Sequence, residues 1–293
     1  MKNIINGFWG FCMALADSVP GVSGGTVAFI LGFYDKFIDS LNTLISKGGD
    51  KKDAIKFLLK LGIGWAIGMC LATLILSSIF DKHIYVISSV FLGFIVFAIP
   101  VIIRDEKKIL KGKFINLIFT FIGILVVVLL SYFNPSGSSS LDISLSGLSF
   151  GLCLYTFLAG MIAISAMVLP GISGSTILLI FGLYMPIING IKETLHFNFE
   201  YVPILFIFGI GVIMGIVLVI RLVKKALLKY RSQTIYTVIG LMIGSLYAIV
   251  MGPVSLDKSA LSFNTFSILG FLLGGVIIFL LEFIKVKIDA YKG

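Results

Sequence analysis

The chain has 293 residues, of which 58% are hydrophobic and only 13% are Asp, Glu, Lys or Arg. A soluble domain carries about 25% charged residues. The composition therefore excludes a soluble globular protein and predicts an all-α integral membrane protein, because backbone that meets lipid has to be helical. The formal net charge of +9 is also found in nucleic-acid-binding proteins, but the basic residues of this chain are sorted by membrane side, which excludes that class.

Six apolar segments are long enough to cross a bilayer, which takes about 20 residues. They are 57–80, 84–103, 114–133, 202–221, 234–252 and 265–284. Each half of the chain also opens with two shorter segments, 4–18 with 26–46 and 150–168 with 175–190. The short first arm, 4–18, favours a re-entrant hairpin, and this preference is weaker for the longer and more apolar 150–168.

The shorter segments flank a motif that occurs twice. Residues 16–34 and 166–184 match at a constant offset of 150, with nine of nineteen positions identical. The centre reads Pro-Gly-Val-Ser-Gly-Gly-Thr in the first copy and Pro-Gly-Ile-Ser-Gly-Ser-Thr in the second. The repeat extends to two glycine pairs, which we interpret as small residues for close helix packing: Gly64 with Gly68, and Gly211 with Gly215.

The repeat predicts two halves, residues 1–133 and 147–293, joined by a polar external linker at 134–146. Each half has three long spans and one hairpin that returns to the side it left. Each half therefore crosses the membrane an odd number of times, and the second half must be inverted relative to the first. Inverted repeats with broken helices are typical of secondary transporters.

Charge sorting agrees with this topology when both termini are placed in the cytoplasm. Cytoplasmic segments carry an excess of Lys and Arg. The outside then holds only Lys82, Lys192 and Lys258. The other twenty of the 23 basic residues fall inside: Lys2, Lys36, Lys47, Lys51, Lys52, Lys56, Lys60, Arg104, Lys107, Lys108, Lys111, Lys113, Arg221, Lys224, Lys225, Lys229, Arg231, Lys285, Lys287 and Lys292.

The motif has the parts of an anion site. Proline stops a helix and glycine permits the turn, at Pro20 with Gly21 and at Pro170 with Gly171. The first amides of the next helix lack an acceptor and carry partial positive charge, which suits phosphate or carboxylate. The candidate binding residues are Ser23, Gly24, Gly25, Thr26, Ser173, Gly174, Ser175 and Thr176. The alternative is that these small residues only allow kinks and close packing.

Three charged residues are further candidates. Asp17 is the acid within an apolar segment at the motif, and its repeat partner is Met167. Intramembrane acids are costly and functional by default, and three roles stay open: a proton or cation coupling site, a cap on nearby amides, or an orienting partner. Arg104 and Arg221 end predicted spans on the inside. They are candidate phosphate contacts, but side chains that snorkel to the interface are the favoured interpretation.

Other chemistry lacks a signal. His83 and His196 lie far apart without neighbouring cysteines, so no metal cluster is predicted. The chain contains no P-loop, and no intramembrane histidine is placed to activate a motif serine. We therefore expect no cofactor, no metal and no enzymatic activity.

The run Ala-Asp-Ser-Val-Pro-Gly-Val-Ser-Gly-Gly-Thr at 16–26, followed by Gly32 and Tyr34, resembles the signature of a bacterial family that transports polyprenyl phosphates, specifically undecaprenyl phosphate. The second copy at 170–176 and the chain length extend the resemblance over essentially the whole sequence. It implies a flippase in the bacterial cytoplasmic membrane that returns the lipid from the outer to the inner leaflet for reuse in cell-wall synthesis. It also implies coupling to an ion gradient.

Two other functions stay open from the residues alone. A transporter or channel for a small soluble anion would use the same motif with a water-lined path. A membrane phospholipid phosphatase would need a nucleophile with a general acid or base. The motif supports an anion as ligand, and the identity of the lipid depends on the resemblance.

Overall fold

The computed structural model of the chain describes residues 2–18, 23–46, 49–72, 77–132, 148–256 and 258–290. All regular secondary structure in these ranges is helical. Pro20 and Gly21 of the first motif and the whole of the predicted linker 134–146 lie outside the described residues.

The helices fall into two series of similar order. Before the linker come α1 (Lys2–Asp17), α2 (Gly24–Ile30), α3 (Tyr34–Ile45), α4 (Lys51–Leu71), α5 (Ser77–Asp105), α6 (Lys107–Leu110) and α7 (Leu117–Tyr132). After it come α8 (Phe150–Val168), α9 (Gly174–Ile180), α10 (Tyr184–Leu195), α11 (Val202–Lys229), α12 (Arg231–Met251) and α13 (Ile268–Ala290).

Six helical segments of the described chain are long and apolar enough to cross a membrane. They are Lys51–Leu71, His83–Asp105, Phe114–Tyr132, Phe150–Val168, Phe199–Lys229 and Arg231–Val254. Their number confirms a multi-pass membrane protein. The predicted arm 150–168 is one of them, whereas the predicted span 265–284 is matched by the shorter apolar part of α13, Ile268–Phe283.

The prediction was wrong at the first span. The segment 57–80 is not one helix: α4 begins earlier, at Lys51, and ends at Leu71, and residues 77–80 belong to α5. The early start has a local cause, since the Asp50 carboxylate accepts hydrogen bonds from the amides of Lys52 (3.0 Å) and Asp53 (3.1 Å). A side-chain acceptor at this position stabilises a helix N-terminus.

The second arm of each predicted hairpin is also broken. The segment 26–46 forms α2 and α3, and the segment 175–190 lies in α9 and α10. The chain bends by 109° between α9 and α10. Gly32 and Gly182 lie in the two breaks with φ of 72° and 64°. Only glycine adopts this left-handed conformation without strain, so the repeated glycine accounts for the repeated break.

The main helix pairs follow the repeat. α1 packs against α4 and α8 against α11, while α7 packs against α12 and α5 against α13. A Cβ on Gly64 would lie 1.9 Å from the Gly7 carbonyl oxygen, and a Cβ on Gly211 would lie 2.2 Å from that of Phe157. Backbones this close require glycine, which confirms the interpretation of both glycine pairs as packing residues.

The α1–α4 and α8–α11 pairs run in opposite directions. Within each pair the two helices are parallel, since Gly64 and Gly68 contact successive turns of α1, and Gly211 and Gly215 contact successive turns of α8. α4 starts near α3, because the Lys36 ammonium group lies 4.2 Å from the centre of the Phe57 ring. α3 in turn meets the final turns of α11 through a salt bridge between Asp39 and Lys224 (3.3 Å). α4 therefore begins at the end of the molecule where α11 finishes.

This end of the molecule collects basic residues. Arg104 near the end of α5, Lys224 near the end of α11 and Arg231 at the start of α12 all form salt bridges there. We call it the basic end. The helix α2 is buried from Gly24 to Ala28. Its apolar residues belong to the main hydrophobic core.

Candidate functional site

The two copies of the motif contact each other directly. The Ser23 hydroxyl donates a hydrogen bond to the Leu169 carbonyl oxygen at 3.2 Å. The Gly171 amide donates to the Thr26 hydroxyl oxygen at 2.8 Å. Ser23 and Thr26 are fully buried, where a lost hydrogen bond is expensive. The structure therefore joins residues that are about 150 positions apart in the sequence.

The contact depends on a small residue and on a tyrosine. A Cβ on Gly25 would lie 2.9 Å from the Val168 carbonyl oxygen, so a side chain here would push α2 away from the end of α8. The buried Tyr34 hydroxyl donates to the same carbonyl oxygen at 3.1 Å. Sequence reasoning assigned no role to Tyr34, although its repetition as Tyr184 was a signal.

In the first copy the side chain of Asp17, the last residue of α1, lies at the start of α2. Its Oδ1 accepts from the Gly24 amide at 2.6 Å, and its Oδ2 accepts from the Trp65 indole nitrogen on α4 at 2.9 Å. A carboxylate on the first amide of a helix satisfies an otherwise unpaired donor. Of the three roles left open, this geometry is that of a cap. Sequence reasoning missed Trp65, and no local pattern connects residues 48 positions apart.

The second copy lacks this carboxylate. Met167 stands at the equivalent position, with its Cβ 3.2 Å from where a Cβ of Gly174 would lie. The Ser173 and Ser175 hydroxyls hydrogen-bond each other at 2.7 Å. Within the described ranges the amides of Gly174, Ser175 and Thr176 donate no hydrogen bond. These three amides are donors that a bound anion would satisfy.

The helix break of the second motif copy lies within the described residues. Pro170 is buried and Gly171 has a φ of 90°. A Cβ on Gly171 would lie 2.6 Å from the Leu241 carbonyl carbon of α12. Both the backbone conformation and the close approach require glycine at this position. The break thus fixes the second motif against α12.

The two candidate arginines lie away from the motifs. Arg104 pairs with Glu282 and, at 3.3 Å, with Asp105, and most of its side chain is exposed. Arg221 is exposed on α11. No hydrogen bond or salt bridge joins either side chain to a described motif residue.

No group of three or more His, Cys, Asp or Glu in the described ranges is arranged to hold a metal ion.

Fold and site together define a class. The chain is a multi-pass, all-helical membrane protein in which short broken helices from two parts of the sequence meet at a buried polar site. Broken helices that meet between repeats are the arrangement found at the substrate sites of secondary transporters.

Comparison with known sequences gives the family. Residues 13–265 match the undecaprenyl phosphate translocase-like family, and the chain belongs to it. It is 33% identical over 251 residues to a polyprenyl-phosphate transporter of Staphylococcus aureus (strain NCTC 8325 / PS 47), which covers 85% of this chain and 86% of the relative. It is 30% identical over 249 residues to a polyprenyl-phosphate transporter of Vibrio cholerae serotype O1, covering 81% and 74%.

No solved structure shows significant similarity to the chain. The family description and the names of both relatives indicate a transporter rather than an enzyme.

Proposed function

We propose that the protein is a secondary transporter that moves undecaprenyl phosphate, or a similar polyprenyl phosphate, from the outer to the inner leaflet of the bacterial cytoplasmic membrane. The observation that carries the proposal is the direct contact between the two motif copies, Ser23 with Leu169 and Thr26 with Gly171. The substrate class comes from the two relatives, which are named polyprenyl-phosphate transporters. Recycling of this lipid would support synthesis of the cell wall.

The proposed mechanism is alternating access by two inverted halves, 1–133 and 147–293. The opposite directions of the α1–α4 and α8–α11 pairs support it. So does the course of each hairpin. Phe33, just after α2, stacks on Trp9 of α1 with ring centroids 4.5 Å apart. Phe181, just after α9, accepts at its carbonyl oxygen a hydrogen bond of 2.8 Å from the Tyr155 hydroxyl of α8. Each hairpin thus turns back along its first helix, as a re-entrant hairpin does. We place both termini in the cytoplasm, which is the side that the sorting of Lys and Arg predicts.

The phosphate is assigned to the duplicated loops. In the present conformation the second copy, Ser173–Thr176, offers two hydroxyls and three amides that donate no hydrogen bond to the described part of the chain. In the first copy, Ser23–Thr26, the Gly24 amide is occupied by the Asp17 carboxylate. Phosphate and this carboxylate compete for the same donor, so the first copy becomes available when Asp17 leaves Gly24.

Competition at Gly24 gives Asp17 a coupling role. A carboxylate that takes up a proton loses its charge and with it the preference for the helix N-terminus. Uptake of a proton by Asp17 would therefore release the Gly24 amide for phosphate. We assign Arg104 and Arg221 to anchoring the two halves at the membrane interface. The phosphate would contact these arginines only after it reaches the inner leaflet.

The test is leaflet-resolved movement of undecaprenyl phosphate in liposomes that contain the pure protein, with and without a proton gradient. The variant is Gly24→Val with Gly174→Val, because a Cβ at these positions would lie 2.7 Å from Asp17 Oδ2 and 3.0 Å from the Ala163 carbonyl oxygen. We expect wild-type movement and none in this variant. The matched control is Gly62→Val with Gly209→Val, since a Cβ at either position meets open space.

Each outcome is decisive. Movement in the double variant at the wild-type rate would contradict the assignment of phosphate to the loops. Movement of inorganic phosphate instead of the lipid would replace the proposed substrate by a small soluble anion. A variant with Ser23 and Ser173 replaced by leucine tests the same loops through their hydroxyl groups, and we expect it to be inactive but folded.

A further inference from the structure

We propose that an ionic lock closes the basic end of the transport path in this conformation, and that the lock must open for the first hairpin to move. Its centre is Arg231, the first residue of α12. The Arg231 guanidinium donates to Asp35 Oδ2 at 2.9 Å and to Glu106 Oε1 at 2.6 Å. A second pair, Asp39 with Lys224 at 3.3 Å, completes the lock. The inference goes beyond the proposed function but rests on it, because it assumes alternating access.

The lock joins the two parts of the chain. Asp35 and Asp39 lie on α3, and Glu106 follows α5, whereas Lys224 and Arg231 lie on α11 and α12. α3 follows α2 after only three residues, so α2 cannot leave its place beside the second motif while α3 is tied down. Arg231 binds Glu106 through two nitrogens, a geometry that makes arginine pairs stronger and more specific.

The lock also lies beside a cavity of about 200 Å³. Asp35, Glu106 and Arg231 line it together with Tyr34 and with Ile102 of α5. The Tyr34 hydroxyl contacts the Val168 carbonyl oxygen, just before the second motif. Tyr34 therefore belongs both to the lining of this cavity and to the contact between the motifs, which is the position expected of a path from the site to the basic end.

The acidic residues that α3 contributes to the lock have no acidic counterpart in the second half. The positions of α10 that correspond to Asp35 and Asp39 at the offset of 150 are Met185 and Asn189. Neither of these two side chains carries a charge, so neither position can form the salt bridge that its counterpart on α3 forms. A purely structural feature of the duplicated fold would be expected in both halves, whereas a gate is needed on the side that is closed.

The test measures access to the cavity without any substrate. A single cysteine is placed at Ile102, which is 4% exposed, in a protein whose three native cysteines are replaced by serine. Its reaction with a membrane-impermeant maleimide is followed in inverted membrane vesicles. We expect Asp35→Asn with Glu106→Gln to raise the labelling rate about fivefold, the change expected from losing one or two partly exposed ion pairs.

Two further variants separate opening from misfolding. Asp53→Asn removes a carboxylate from exposed α4 surface where no salt bridge forms, and its labelling should equal that of the parent. Asp39→Lys alone should raise labelling, and Asp39→Lys with Lys224→Asp should restore the parent rate, because the reversed pair can form again. A destabilised protein would not be rescued in this way.

Unchanged labelling in the Asp35→Asn, Glu106→Gln variant would overturn the lock. This failure is distinct from that of the proposed function. If labelling responds but undecaprenyl phosphate does not move, the lock stands and the substrate assignment falls. If the lipid moves but labelling does not respond, the transport assignment stands and the lock falls.

Discussion

In the first copy of the motif the Gly24 amide donates to the Asp17 carboxylate, whereas in the second copy Met167 stands in the equivalent place beside Gly174. The surroundings of both copies are alike: a seven-residue helix follows each, a glycine with positive φ ends it, and a parallel helix pair supports it. The duplicated scaffold therefore carries two motif copies with different surroundings. In the first copy the Gly24 amide donates to a carboxylate of the protein, and in the second an apolar methionine lies beside Gly174.

The scaffold should fail equally in both halves. Gly64→Ala and Gly211→Ala each place a Cβ about 2 Å from a backbone oxygen of the partner helix. We expect each to destabilise the folded protein by about 3 kcal/mol, since overpacking against backbone cannot relax cheaply. Thermal unfolding in detergent checks this, with Gly62→Ala and Gly209→Ala as controls in open space. A large loss in one half and none in the other would break the likeness of the two scaffolds.

The second motif should depend on its turn glycine. Gly171→Ala suffers twice, from a φ of 90° and from contact with the Leu241 backbone. Gly112 has a φ of 78° but open space around a Cβ, so Gly112→Ala suffers only the backbone strain of about 1–2 kcal/mol. We expect Gly171→Ala to lower the midpoint of thermal unfolding clearly more than Gly112→Ala. Equal shifts would mean that the contact with α12 does not constrain the motif.

Moving the carboxylate should damage the open copy. Met167→Asp puts a charge beside the Gly174 amide, where it would repel a phosphate by ~1–4 kcal/mol at a separation of a few ångströms. We expect transport of undecaprenyl phosphate to fall about tenfold, and Met167→Asn, which has the same shape without the charge, to lose much less. If both variants lose the same activity, then shape and not charge distinguishes the two copies.

The hydroxyls of Thr26 and Thr176 should differ in how much they contribute to the free energy of unfolding. Thr26 is buried and accepts from the Gly171 amide, whereas Thr176 is partly exposed. Thr26→Val leaves that amide unpaired and should cost about 1–2 kcal/mol of unfolding free energy. Thr176→Val should cost less than about 0.5 kcal/mol. Denaturation monitored by Trp fluorescence compares them, and equal costs would show that the contact between the motifs contributes nothing.

Sequence reasoning reached those features that are written locally or by repetition. Five of the six predicted spans were close to the apolar segments found, and the repeated Pro-Gly motif marked the place where the two parts of the chain meet. The breaks at Gly32 and Gly182 were missed although both glycines belong to the repeat, because a single glycine within an apolar run does not reveal its φ. The early start of α4 was missed because its first residues are lysines, which an apolar pattern does not include.

Long-range partners were out of reach. Nothing near Asp17 indicates that the Trp65 indole will meet its carboxylate, and nothing near Asp35 indicates Arg231, which is 196 positions away. Such contacts depend on how the helices pack, which no short pattern in one sequence encodes. For the same reason the occupied state of the first copy, and hence the difference between the copies, emerged only from the structure.

The most direct test of the account is to locate the phosphate. A polyprenyl phosphate analogue with a photoreactive group next to the phosphate is incorporated into liposomes with the wild-type protein, and the labelled residues are identified by mass spectrometry. We expect labels at 173–176, with labels at 23–26 increasing in Asp17→Asn because the Gly24 amide is then no longer held by a charged carboxylate. Labels confined to the outer surfaces of α7 and α13, with none in either loop, would contradict it.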